Sequence, residues 1–244
     1  MKAPASPSTA GLVLTGGGAR AAYQVGVLKA VSQVRGEIGQ HGGNPFPVIT
    51  GTSAGAINAA ALASRAADFD AGVAEIAEVW ENFHADQVYR ADSIGVIRTG
   101  ARWLSMLSLG WVVARWRRAR PRSLLDNTPL SELLAQLVNP ARIRAAMHAG
   151  HLDALAVTAS SYGSGLHVTF YDALEDIVPW TRSQRIAVRA TIAVPHLLAS
   201  SAIPFVFPAV PLRIEERTEW FGDGSMRQAA PISPAVHLGA TRIL

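Results

Sequence analysis

The stretch Gly51-Thr52-Ser53-Ala54-Gly55 constrains this chain more than any other. Before it stands Phe46-Pro47-Val48-Ile49-Thr50, a short β-branched run with the composition of a buried strand. After it comes Ala56-Ile57-Asn58-Ala59-Ala60-Ala61-Leu62-Ala63, dominated by the strongest helix former. Strand, G-x-S-x-G and helix is the local context that a nucleophile elbow requires. Gly51 and Gly55 let the backbone turn sharply, because no Cβ meets the neighbouring strand or helix. The Ser53 hydroxyl then projects at a helix start, where free N–H groups favour developing negative charge. Chance yields such a pentapeptide in about one chain in ten of this length, so its weight depends on what else the chain carries.

At 244 residues, with 49% hydrophobic and 16% charged residues, the chain can bury the core of one large domain. The absence of cysteine excludes disulfides, thiolate metal sites and cysteine nucleophiles. Residues 1–10 read as a disordered lead without an apolar h-region, so no signal peptide is expected, and the domain is expected to occupy residues 11–244. No run of about 18 uncharged apolar residues occurs, so no transmembrane helix is expected either. These features fit a cytoplasmic protein, with peripheral attachment to a membrane left open.

The net charge of +4 is unevenly spread. From Ser93 to Leu125 there are seven arginines and no acidic residue, so the rest of the chain sums to −3. A local patch of this kind argues against general nucleic-acid binding.

Gly11-Leu12-Val13-Leu14 predicts a first strand, Thr15 to Arg20 a glycine-rich turn, and Ala21 to Val34 a helix with apolar residues at helical spacing. Asp70 to Phe83 predicts an amphipathic helix. Another starts near Thr128-Pro129, with Thr128 as its cap. Leu152–Ala159 and Leu166–Tyr171 predict two strands, Pro195–Ser201 a short helix, and Glu219-Trp220-Phe221 a strand leading into Gly222-Asp223-Gly224-Ser225. Ala240–Leu244 reads as the opening of another strand, which makes a fragment of a longer protein the expectation. Strands alternating with helices imply an α/β sheet covered on both faces.

A serine nucleophile needs donors for an oxyanion and a base. Gly16-Gly17-Gly18 can supply the donors, because successive glycine N–H groups can point into one concavity. No Lys-Ser or Lys-Thr follows, as a phosphate-binding Walker loop would need. A dinucleotide fingerprint would need glycine at Ala21 and an acid at Thr50. A plain strand-to-helix turn explains one glycine but not three. The base is less obvious. None of the seven histidines lies in a catalytic context, and His237, fourteen residues after Asp223, is the one kept for a Ser-His-Asp triad. Asp223 between two glycines is either an ordinary turn residue or a carboxylate delivered directly to the serine.

Gly16-Gly17-Gly18-Ala19-Arg20, Gly51-Thr52-Ser53-Ala54-Gly55 and Asp223-Gly224-Ser225 occur in the order seen in the patatin-like phospholipase family. Ala199-Ser200-Ser201-Ala202-Ile203-Pro204, followed by Phe207-Pro208, also resembles that family's stretch before the aspartate. The resemblance runs from about Gly11 to Leu244. It implies a three-layer α/β/α fold with a mostly parallel central sheet, and hydrolysis of lipid acyl esters of the phospholipase A or lysophospholipase type by a Ser–Asp dyad, with no metal or organic cofactor. Ser53 would be the nucleophile and Asp223 the base. The amides of Gly16, Gly17, Gly18 and Ala54 would form the oxyanion hole, supported by Gly51, Gly55 and Gly224. Arg20 matches the family's arginine after the glycines, where it would brace the loop or meet a phosphate. Two residues depart from the pattern: Ala21 stands where many members have a further glycine, and Ser225 replaces a more common glycine or alanine, with a hydroxyl able to hydrogen-bond Asp223.

Trp103 to Trp116 holds three of the six tryptophans, with arginines on both sides. Residues 98–122 therefore have the composition of an interfacial membrane element, and equally that of a lid helix over the site. The rivals to an active acylhydrolase are a catalytically weak or inactive membrane-binding domain of the same fold, and an esterase with a His237 triad.

Overall fold

The structure, a computed structural model, describes residues 8–84, 87–88, 123, 125–228 and 231–244. The arginine-rich segment 98–122 and residues 1–7 of the N-terminal lead lie outside the described residues.

The chain opens with β1 (Ala10–Leu14), a single 3-10 turn (Gly18–Arg20) and α1 (Ala21–Glu37). β2 (Val48–Thr52) leads through Ser53 into α2 (Ala54–Ala63). α2 is built mostly of alanine, and eight of its ten residues are buried, so it lies close against the sheet. α3 (Phe69–Glu81) starts where the Asp68 carboxylate accepts the Ala71 N–H. α4 (Thr128–Leu137) follows, and then α5 (Pro140–His148), where Asn139 accepts the N–H groups of Ala141 and Arg142. Thr128 is the first residue of α4 rather than its cap; its N–H and hydroxyl both donate to Asp126.

β3 (Ala154–Ser161) and β4 (His167–Ala173) are buried along their whole lengths. β5 (Thr181–Arg182), β6 (Arg185–Arg189), α6 (Val194–Ser200), β7 (Val210–Ile214), β8 (Arg217–Asp223), α7 (Ser233–His237) and β9 (Arg242–Ile243) complete the described elements. The strands form one sheet in the order β5-β6-β4-β3-β2-β1-β9, with the β7–β8 hairpin joined through β8 to β3. The run β9-β1-β2-β3 is parallel throughout, as is β4–β6. The pairs β3–β4, β3–β8, β5–β6 and β7–β8 are antiparallel.

One detail of the register positions the site. β4 occupies one edge of β3 from Ala154 to Ser160. The other edge is shared. Ala154 to Thr158 face β2, with Thr52 opposite Thr158, and Ala159 to Ser161 face β8, with Asp223 opposite Ala159. β2 runs parallel to β3 and β8 runs against it, so the two strands approach tip to tip. The chain positions that end them, Thr52 and Asp223, therefore lie on adjacent rungs of β3.

Alternate residues of each strand point to opposite faces. On one face Leu12, Leu14, Ile49, Leu155, Val157, Val168 and Phe170 form the larger core with residues of α1 to α6. On the other, Val48, Ala154, Ala156 and Tyr171 pack against Trp180, Ala235 and Leu238. Among the described residues that second layer is thinner, made of α7 and the segment carrying Trp180. The observed architecture is the expected α/β fold, a central sheet flanked by helices.

Candidate active site

Ser53 takes φ 55° and ψ −129°, a region that non-glycine residues seldom enter and that costs about 1–3 kcal/mol. The elbow glycines explain how the turn closes. A Cβ on Gly55 would lie 2.2 Å from the Leu14 carbonyl oxygen, and one on Gly51 would lie 2.5 Å from Ala56 Cα. Strand and helix can approach this closely only with no side chain at either position.

Asp223 ends β8 and begins a 3-10 turn at Gly224, which is buried against the Thr158 carbonyl. The Ser53 hydroxyl donates to Asp223 Oδ2 at 2.7 Å. Ser225 donates twice to the other oxygen, Oδ1, from its N–H at 2.8 Å and its hydroxyl at 2.5 Å. The carboxylate is thus divided, with one oxygen held by the turn and the other facing the serine. Both residues are buried, Ser53 6% and Asp223 4% exposed.

The glycine loop passes directly over this pair. A Cβ on Gly16 would lie 2.8 Å from Ser225 Cβ and 3.2 Å from Ser53 Cβ. Gly18 has a φ of +55°, which glycine adopts without strain. Among the described residues, the N–H groups of Gly17, Gly18 and Ala54 donate to no acceptor. Free donors beside a serine oxygen are the requirement for stabilising an oxyanion. Arg20 is exposed, and its guanidinium meets no acceptor among the described residues.

A cavity of about 480 Å³ opens beside Ser53, within the usual range for small-molecule sites. Gly18, Ser53 and Ala54 form its polar end. Ile57, Ala61 and Ile76 continue its apolar wall along α2 and α3. Residues 54, 57, 58 and 61 fall on one face of α2, so the wall extends about 10 Å from the nucleophile. Asn58 is the one polar side chain on that α2 wall beyond Ser53, and it is fully engaged: Trp80 Nε1 donates to its Oδ1 at 2.9 Å, and its Nδ2 donates to Ala21 O at 3.2 Å.

The histidines lie elsewhere in the fold. His237 stacks on Trp180 with ring centroids 4.6 Å apart, on the face of the sheet opposite α2. His196 accepts the Ala193 N–H at the start of α6 and packs edge-on against Phe170. His167 is buried in β4 with both ring nitrogens unpartnered among the described residues; burial, with help from Arg185 and Arg227, pulls its pKa to about 4.

Two residues near Ser53 and Asp223 had no assigned role in the sequence. The Ser200 hydroxyl accepts the Ser53 N–H at 2.8 Å. The Tyr162 phenol lies over Gly222, where any Cβ would collide with it, and burial first and the Asp223 charge second raise its pKa. Ser200 sits in a stretch that stood out by its motif, but which atom its hydroxyl meets depends on a fold contact 147 residues away.

The sequence profile of the family described as Patatin-like phospholipase matches residues 12–236. The chain belongs to this family. Patatin-like phospholipases are lipid acyl hydrolases, and the match takes in the glycine loop, the elbow and the Asp223 turn together. Among solved structures, VipD from Legionella pneumophila is 17% identical, with 91% of this chain and 46% of that one covered and a TM-score of 0.47. A chain in the complex of full-length SpcU with full-length ExoU, from the type III secretion system of Pseudomonas aeruginosa, is 18% identical, with 67% and 34% covered and a TM-score of 0.35. This patatin-like chain thus spans less than half the length of either. No curated protein sequence matches it significantly.

Proposed function

We propose that the chain is a serine acylhydrolase that cleaves acyl esters of phospholipids or related lipids through a Ser53–Asp223 dyad. The observation that carries this reading is the 2.7 Å hydrogen bond from Ser53 Oγ to Asp223 Oδ2 beside an apolar cavity. The buried apolar wall suits an acyl chain, each buried methylene contributing about 0.8 kcal/mol.

In this mechanism Asp223 accepts the hydroxyl proton as Ser53 Oγ attacks the ester carbonyl. The carbonyl oxygen becomes an oxyanion, held by the N–H groups of Gly17, Gly18 and Ala54, with Gly16 shaping the loop. The tetrahedral species collapses, the ester C–O bond breaks, and the leaving alcohol takes the proton from Asp223. Water then attacks the acyl-enzyme, giving its proton to Asp223; the second tetrahedral species collapses, the acyl–Ser53 Oγ bond breaks, and Oγ takes the proton back from Asp223 as the free acid leaves. The two Ser225 donors on Oδ1 support this division of labour, because they turn Oδ2 toward the nucleophile. No histidine is required. The substrate would be met at a membrane surface, a role for which the tryptophans and arginines of residues 98–122 have the composition.

A fluorophosphonate probe should label Ser53 covalently, and Ser53→Ala should lose labelling and about 10⁴-fold of fatty-acid release from phospholipid vesicles. Hydrolysis by Ser53→Ala at the wild-type rate would overturn the assignment.

A further inference from the structure

We infer that Ser200 is a positioning residue for the nucleophile, and that the turn Ser200–Ala202 holds both halves of the dyad in register. The inference rests on the Ser53–Asp223 reading and assigns the means by which the strained serine is kept in place.

Ser200 is completely buried near the end of α6. A hydroxyl has one proton to give and lone pairs to receive with. Here its proton goes to the Thr158 carbonyl at 2.7 Å, and a lone pair receives the Ser53 N–H at 2.8 Å. Thr158 is the β3 residue opposite Thr52, the last rung of β2. One hydroxyl thus carries the link between the two strands one residue further, past the point where the chain leaves the sheet. Two residues on, the Ala202 carbonyl accepts the Asp223 N–H at 2.9 Å. The amide of the nucleophile and the amide of the base are therefore fastened to the same three-residue segment, while their side chains meet each other. A backbone at φ 55° persists only where its surroundings over-determine it, and the Ser200 bond is the single hydrogen bond made by the Ser53 N–H among the described residues.

Ser64 provides an internal comparison. Its buried hydroxyl also donates to a backbone carbonyl, of Ala60, and accepts a backbone N–H, of Asn139. It makes the same two kinds of bond at the far end of α2, away from the cavity lining and the dyad. Removing the Ser200 hydroxyl leaves the buried Ser53 N–H without its acceptor, and removing the Ser64 hydroxyl does the same to the part-buried Asn139 N–H, so both should weaken the fold. Only Ser200 should change the chemistry.

The test measures stability, KM and kcat for Ser200→Ala and Ser64→Ala, with kcat normalised to the sites that a fluorophosphonate titrates. Ser200→Ala should lose about tenfold to hundredfold in kcat per site with KM within about twofold of wild type, and Ser53 should be labelled more slowly by the same factor. Ser64→Ala should lose stability and keep its kcat per site. Should Ser200→Ala fail to fold, Ser200→Cys keeps a weaker donor and acceptor and should show a smaller but measurable loss of kcat. Wild-type kcat per site in whichever of these two Ser200 variants folds overturns the role of Ser200. Wild-type turnover in Ser53→Ala would instead overturn the dyad itself, and this role with it, so the two failures are told apart.

Discussion

The two turns that deliver the proposed dyad, Ser53 and Asp223, differ in how they hold their residues. At the elbow, Ser53 has a strained backbone and a side chain whose one hydrogen bond among the described residues is to Asp223. At the other turn, Asp223 has a relaxed backbone, φ −50° and ψ 128°, and a side chain gripped by Ser225. The proposed nucleophile is positioned through its main chain and the proposed base through its carboxylate. A hydroxyl that must move from proton donor to ester oxygen needs freedom at the side chain, so its order is placed in the backbone. A base that must present the same oxygen throughout gains from being tied down.

The sharpest way to break this contrast is Asp223→Asn, which leaves the turn's geometry almost unchanged and removes the proton acceptor. We expect kcat to fall about 10⁴-fold, while His237→Ala stays within about twofold of wild type. A large loss in His237→Ala would mean that the histidine, not the aspartate alone, serves as base. Next in size is Gly55→Ala. Its Cβ would press against the Leu14 carbonyl at 2.2 Å, a backbone atom that cannot rotate away, so a loss of about 3 kcal/mol in urea unfolding is expected.

Acid should weaken the half of the sheet that carries the base. His167 stays neutral in the folded protein down to about pH 4, whereas in the unfolded chain it takes up a proton near pH 6.5. Below pH 6.5 the unfolded state therefore binds more protons. Stability should fall as the pH drops from about 6.5 to about 4, by up to about 3 kcal/mol. Ser160 pairs with His167 on one side and with Gly222 on the other, so faster hydrogen exchange should appear first in β4 and β8. His167→Gln should flatten this acid slope, and a slope unchanged in that variant would place its origin elsewhere. The smallest effect belongs to Ser225→Ala. The Ser225 N–H still holds Oδ1, so a loss in kcat of less than about tenfold is expected, at constant KM.

Much of this was legible in the residues, and what was not had a common cause. The elbow, the glycine loop and the Asp-Gly turn each rest on local chemistry, so the pattern revealed them, and α1, α2 and α3 start or end within three residues of where periodicity and composition put them. α5 went unrecognised, because Ile143 and Met147 are its only large apolar residues, although Asn139-Pro140 is a start signal in retrospect. The antiparallel addition of β8 to β3 depends on register between distant segments, which no local pattern encodes. The same holds for Ser200: its motif stood out, but its partner could not be read from it. Nor did spacing place Asp223 and His237 relative to Ser53; the sheet brings one to Ser53 and leaves the other against Trp180 on the far face.

The shared edge of β3 also has a consequence in time. Ser53 and Asp223 lie 170 residues apart in the chain, and the strands that lead to them meet along one edge of β3. During synthesis at about 5–20 residues per second, the ribosome exposes the serine roughly 10 to 30 s before the aspartate exists. Throughout that interval the nascent chain holds Ser53 without the carboxylate proposed to take its proton. Under the proposed mechanism, Ser53 has no base to activate it while the chain is still being made.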